Sequence, residues 1–90
     1  IDDNDFNQLG KELNDLKLKD ESNRIYKLGI DEYPNSFILN YSFGKLLNDN
    51  KNEEAKDYFM KCIELYDNNP ENKDYIEEYK QAQSILSEIK

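Results

Sequence analysis

Apolar side chains recur along this chain at spacings of three and four, the period of one face of an α-helix. Phe6, Leu9, Leu13 and Leu16 form the first such stripe and predict a helix with one apolar face. Ile25, Tyr26, Leu28, Ile30 and Tyr33 predict a second helix, opened by Asp20 or Glu21. Pro34 must stop it, because its ring removes an amide donor and steers Tyr33 away from helical backbone angles. A third helix, capped by Asn35 or Ser36, carries Ile38, Leu39, Tyr41, Phe43, Leu46 and Leu47, and Asn48-Asp49-Asn50 reads as the turn after it. The fourth holds Ala55, Tyr58, Phe59, Cys62, Ile63 and Leu65, and is broken by Asp67-Asn68-Asn69-Pro70. A fifth is expected from about Glu71 to Ile89. Its apolar side is Tyr75, Ile76, Tyr79, Ala82, Leu86 and Ile89, with Glu77, Glu78, Lys80, Gln81 and Glu88 toward water. Nothing alternates with a strand's period of two, so the expected class is all-α with five helices.

The pattern repeats. Gly10-Lys11-Glu12-Leu13-Asn14-Asp15 returns as Gly44-Lys45-Leu46-Leu47-Asn48-Asp49, with five of six positions identical at an offset of 34. The same offset carries Leu9 onto Phe43. Downstream the offset is 33, bringing Ser22 onto Ala55, Tyr26 onto Phe59, Gly29 onto Cys62, Ile30 onto Ile63 and Tyr33 onto Tyr66. One residue has been lost from the turn between Asp49 and Glu53. Each unit therefore reads as a pair of helices, and periods of this length mark stacked helical repeats.

These residues resemble the tetratricopeptide repeat (TPR), whose pattern is a large residue, Leu-Gly, an aromatic, later Ala, another aromatic and a closing Pro. In the first unit the matching positions are Phe6, Leu9-Gly10, Leu13, Ser22, Tyr26, Gly29 and Pro34; in the second they are Phe43-Gly44, Leu47, Ala55, Phe59 and Cys62. Two positions depart from it: Asn40 stands where a large apolar residue belongs, and Pro70 falls three residues late. The resemblance covers roughly residues 3 to 69. It implies an α-hairpin solenoid of two TPR-like repeats, 3–36 and 37–69, with residues 70–90 as a helix capping the open end, all within one domain spanning 1–90. It also implies that the small residues Gly10, Gly44, Ser22, Ala55, Gly29 and Cys62 mark close helix approaches, and that the aromatics fill the space between hairpins.

Composition narrows the function. Twenty acidic against 12 basic residues leave a net charge of −8, which repels phosphate backbones, so nucleic acid and anionic membranes are not expected partners. No apolar run is long enough to insert into a membrane. The chain has no His, one Cys and three isolated glycines. That leaves no imidazole base, no thiolate zinc site and no phosphate-cradling loop, so neither an enzyme nor a cofactor is expected. Cys62 fits a small-residue packing slot and a reducing compartment, making the cytoplasm the expected location. The chain begins at Ile1 rather than Met, which reads as a piece of a longer protein from which a signal peptide could have been removed. Asp67 to Glu78 places oxygens at some positions of an EF-hand loop, but Asn72 replaces the required Gly and Lys73 sits beside the ion position, so a plain turn is expected. Asn40-Tyr41-Ser42 spells a glycosylation sequon inside a predicted helix, where chance accounts for it.

The resemblance implies a concave groove lined by the first helix of each hairpin, binding a peptide or helix of a protein partner. Mapped through the repeat, its residues are Asn7, Lys11 and Asn14, then Tyr41, Lys45 and Asn48, with Lys80 from the fifth helix. Asn carboxamides pair with a ligand's backbone whatever its sequence. Lys11 and Lys45 in register form a cationic spot suited to a carboxylate or an acidic peptide. The competing reading makes them solvated charges inherited from one duplicated unit, pairing with Asp15 and Asp49 four residues on. The expected function is thus a non-enzymatic protein-interaction module. The alternatives are a spacer or homodimerisation element, self-associating through Tyr75, Tyr79 and Ile89, and a peptide-sensing regulatory domain.

Overall fold

A computed structural model describes residues 1–89, and the last residue of the expected capping segment, Lys90, lies outside them. The described chain is all-helical, with five helices: α1 (Asp3–Asp15), α2 (Lys19–Glu32), α3 (Phe37–Asp49), α4 (Ala55–Asn68) and α5 (Ile76–Glu88). A six-residue 3₁₀ helix, Pro70–Tyr75, links the last two. α1 and α2 form one hairpin, α3 and α4 a second, and α5 lies against α4.

Each boundary has a local cause. Asp2 caps α1 through a capping box with Asp5, satisfying an orphan amide in each direction. Ser36, 34 residues on, caps α3 by accepting from the Leu39 amide at 3.2 Å. Both hairpin turns close in the same way. Lys17 and Lys51 adopt left-handed angles, φ 66° and 58°. The Leu18 amide then reaches the Leu13 carbonyl at 2.9 Å, and the Asn52 amide reaches the Leu47 carbonyl at 2.8 Å. These are Schellman closures, which satisfy carbonyls that the helix end leaves unpaired. α2 starts at Lys19, earlier than the acidic residues suggested, because the turn already points the chain into the helix and no side-chain cap is used. Likewise α3 runs on through Asp49, so the second turn falls at residues 50–54 rather than 48–50.

The predicted fifth helix divides in two. Asn69 and Asn72 both donate their side-chain amides to the Leu65 carbonyl, at 2.9 and 3.2 Å, drawing the chain back onto the end of α4. The backbone tightens to 3₁₀ geometry there, and regular α-helix resumes only at Ile76. Asn72, which blocked the calcium reading, is itself buried in this turn.

α3 is the central element. Phe37, Leu39, Phe43, Leu46 and Leu47 are buried on it, together with Asn40, Ser42 and Gly44, so it is covered on nearly every side. Phe37, Phe43, Phe59 and Leu39 are fully buried, each contributing roughly 1.5–3 kcal/mol through removal from water. The glycines permit this closeness. A Cβ on Gly10 would lie 2.6 Å from the Tyr26 ring, and one on Gly29 would lie 2.8 Å from Cβ of Phe6. Ser22 donates to the Gly10 carbonyl at 2.7 Å within the same hairpin. Between hairpins, Tyr26 stacks on Phe43 at 5.7 Å and Ser36 donates to the Asp3 carboxylate at 2.7 Å. Asn40, out of place in the repeat pattern, has a structural use: its amide group donates to the carbonyls of Pro34 and Ser36, pinning the link between hairpins. At 2% exposure, its side chain is closed to glycosylation.

Two expected apolar stripes are only partly covered. Leu9 is 42% exposed, Leu16 68% and Leu28 50%. Phe6 alone of the α1 stripe packs on the main core, because Gly10, one helical turn on, carries the close approach to α2. At the other end Tyr75 stacks on Phe37 at 4.9 Å, Tyr79 stacks on Tyr66 at 4.0 Å, and Ile89 packs on the core. The side chains assigned to self-association are therefore engaged within the chain.

Candidate functional site

A cleft of about 300 Å³ opens between the two hairpins, at the lower end of the range for ligand sites. α1 supplies Lys11, Asn14 and Asp15 to it; α3 supplies Ile38, Tyr41, Ser42, Lys45, Leu46 and Asp49. Tyr26 enters from α2 and Glu78 from α5. Helical spacing explains the alignment, since Lys11, Asn14 and Asp15 lie three and four apart, as do Ile38, Tyr41, Ser42, Lys45 and Asp49. The floor is apolar and aromatic, and the rim is charged.

Four of the seven residues expected from the sequence meet here: Lys11, Asn14, Tyr41 and Lys45. The other three do not line this cleft. Asn7 is buried, with 9% of its surface exposed, and its Oδ1 meets no donor among the described residues. Asn48 is half-buried outside the lining. Lys80 borders an adjoining depression with Glu77, Gln81 and Ser84, which shares Tyr41 and Glu78 with the main cleft. α5 packs along α4, so its polar face meets the cleft only at Glu78.

The lysines do not make the local pairs that the repeat suggested. Among the described residues the only ion pair is Lys61–Glu64, at 4.0 Å. Lys45 instead places its ammonium 5.8 Å from the Tyr41 ring centre, within cation–π range. The Tyr41 hydroxyl donates to the Gln81 side chain, joining α3 to α5 at the adjoining depression. Burial, with smaller effects from Glu78 and Cys62, raises the Tyr41 pKa above that of an ordinary phenol. Tyr26 is pushed up to about 12, chiefly by burial and secondarily by Asp15.

The electrostatics differ from the expected cationic spot. Two lysines share the lining with three carboxylates, Asp15, Asp49 and Glu78, so its formal charge is slightly negative. Asp15 and Asp49 were legible as members of the duplicated motif; Glu78 was not, because nothing in the local pattern says how α5 lies. Ile38 and Leu46 read as core from sequence, and only the packing shows that they also form a floor. Away from the cleft, Cys62 is fully buried with its sulfur 3.7 Å from the Phe37 carbonyl, and burial pushes its thiol up to about 12, so no nucleophilic thiolate forms near neutral pH. In the segment weighed as a calcium loop, Asp67 accepts from the Tyr79 hydroxyl at 3.0 Å. No described helix is long and apolar enough to cross a membrane.

Neither a scan against family models nor searches of curated proteins and of solved structures finds a significant match.

Proposed function

We propose that this chain is a tetratricopeptide-type interaction module that holds a segment of a protein partner in the cleft between α1 and α3, without catalysing a reaction. One observation carries this reading: the two lysines of the duplicated motif stand on the same apolar-floored cleft, and no carboxylate among the described residues pairs with either. A lysine ammonium that does not close onto the carboxylate four residues along its helix is a free donor, and an exposed intrahelical pair would contribute little to the fold in any case. The ligand favoured by such a site is a peptide of mixed charge rather than a purely acidic one. Its acidic group meets Lys11 and Lys45, a basic group meets Asp15, Asp49 or Glu78, and an apolar side chain rests on Ile38 and Leu46. Asn14 can pair with its backbone.

The test is selection of peptides on the full chain, followed by mapping of the bound state by NMR chemical shifts. Perturbations should centre on Ile38, Tyr41 and Leu46. The Lys11→Glu/Lys45→Glu double variant should lose binding by at least about tenfold, the effect of losing ~1.4 kcal/mol, while its circular dichroism and melting stay those of the parent. Selected peptides that perturb another surface, or that bind the double variant equally well, would refute the cleft as the site.

A further inference from the structure

The two hairpins are equivalent in geometry as well as in sequence. Their caps (Asp2 and Ser36), their left-handed turn residues (Lys17 and Lys51) and their glycine-on-aromatic contacts (Gly10 under Tyr26, Gly44 under Phe59) all correspond. This equivalence makes it possible to compare what covers the same face on each. On the second hairpin, Phe43 is held between Tyr26 of the first hairpin, stacked at 5.7 Å, and Tyr58 of α4, edge-on at 4.8 Å. Leu47, one turn on, is 3% exposed, and Asn50 receives a hydrogen bond from Lys19 of the first hairpin at 3.2 Å.

The repeat carries Phe43, Leu47 and Asn50 back onto Leu9, Leu13 and Leu16, and Tyr58 back onto Ile25. These side chains are apolar too, but the described residues leave them partly open to solvent. Leu9 is 42% and Leu16 68% exposed, while Leu13 and Ile25 are half-buried. Leu9 is two residues from Lys11, roughly 200° around the helix, so this face is separate from the cleft.

We propose that the face formed by Leu9, Leu13, Leu16 and Ile25 is the docking surface for another α-hairpin, packed on the first hairpin as the first is packed on the second. The interface inside the chain defines the occupant. Its second helix brings an aromatic ring over Leu9, as Tyr26 lies over Phe43. Above Leu16 it carries an apolar residue, where Lys19 meets the polar Asn50. The surface is thereby a continuation of the packing already present between the two hairpins, in the opposite direction along the array.

The probe is this protein's own hairpin. Residues 1–34 are added in front of the intact 90-residue chain, so that Ile1 follows the added Pro34 and Asp2 takes the capping position of Ser36. Lys19→Leu is made in the added copy only. Hydrogen exchange in the original α1 is expected to slow by at least tenfold, with one cooperative unfolding transition for the whole tandem. Leu9→Lys in the original segment should return α1 exchange to the rate of the unextended chain. Unchanged exchange in α1, a separate transition for the added hairpin, or protection that survives Leu9→Lys would overturn the proposal. In sedimentation the unextended chain is expected to stay monomeric. A concentration-dependent dimer abolished by Leu9→Lys would make a second copy the occupant, and overturn the assignment to a hairpin of the repeat.

Discussion

Gly10 lies directly beneath the ring of Tyr26, so close that a Cβ at that position would come within 2.6 Å of the Tyr26 Cζ. The contact locks α1 to α2, and the same ring stacks outward on Phe43 of the next hairpin. One aromatic thus fixes both the spacing inside a hairpin and the spacing between hairpins. In an exposed helix, replacing Gly with Ala stabilises by about 1 kcal/mol. Here the sign should invert. Gly10→Ala is expected to destabilise by about 1–3 kcal/mol in urea unfolding, because the ring must move off its seat against Phe43. Gly44→Ala, whose Cβ would sit 3.1 Å from the Phe59 ring, should cost less. Equal effects at the two positions would show that the contact is not what decides.

Lys17 and Lys51 hold left-handed conformations that a side chain with a Cβ adopts at a cost. Lys17→Gly and Lys51→Gly should each stabilise the chain by about 0.5–1 kcal/mol, since glycine suits the position after a helix C-cap. The gains should add, the turns being separate sites. A lower urea midpoint for either variant would contradict the Schellman geometry.

Ser36 ties two elements together, capping α3 through the Leu39 amide while donating to Asp3 of α1 in the first hairpin. Ser36→Ala should cost about 1–2 kcal/mol, at the upper end for a helix cap, because an inter-hairpin bond is lost as well. Asp3→Asn in the same background should add little. A large further loss there would show that Asp3 acts through some other partner.

Tyr41→Phe removes the hydroxyl bond to Gln81 that links α3 to α5. The expected outcome is a loss of about 1 kcal/mol and faster amide exchange confined to α5. Because the Tyr41 ring remains under Lys45, ligand capture by the cleft should change far less than in the lysine double variant.

Alkaline pH should unfold the chain through buried acids. Cys62, ordinarily near 9.0, and Tyr26, ordinarily near 10.0, are both raised to about 12 in the folded state, mainly by burial. Above pH 9 the unfolded chain sheds these protons while the folded chain keeps them, so the unfolded state binds fewer protons and stability falls with rising pH. Their contribution is complete below pH 9 and lost progressively up to about pH 12. Cys62→Ala should flatten the urea-midpoint profile chiefly around pH 9, where the unfolded-state thiol titrates ahead of Tyr26. An unchanged slope there would remove Cys62 from the account.

Much of the fold was legible because helix-forming information is local. The three-and-four spacing, Pro34, and Ser36 as a cap mark the first four helices to within a few residues, and the offset of 34 pairs the hairpins through positions such as Gly10 and Gly44. Local reasoning failed where a distant group decides. The Leu65 carbonyl turns residues 70–75 into a 3₁₀ helix, and its donors Asn69 and Asn72 read from sequence only as turn residues. Half-burial of a leucine depends on what lies above it, so periodicity assigned Leu9 and Leu16 to a face without saying whether that face is covered.

By itself the sequence determined the class of structure and the register of its repeat, since both rest on propensities and spacings within one or two helical turns. Only the tertiary structure decided which of Asn7, Lys11, Asn14, Tyr41, Lys45, Asn48 and Lys80 share a cleft, because that depends on how α1, α3 and α5 cross. It also decided the sign of the cleft's charge: Asp15 and Asp49 offset Lys11 and Lys45 one helical turn along the same helices, and Glu78, which tips the balance negative, joins them only through the meeting of three helices. An ammonium's field depends on every carboxylate within several ångströms, and that set exists only once the chain has folded.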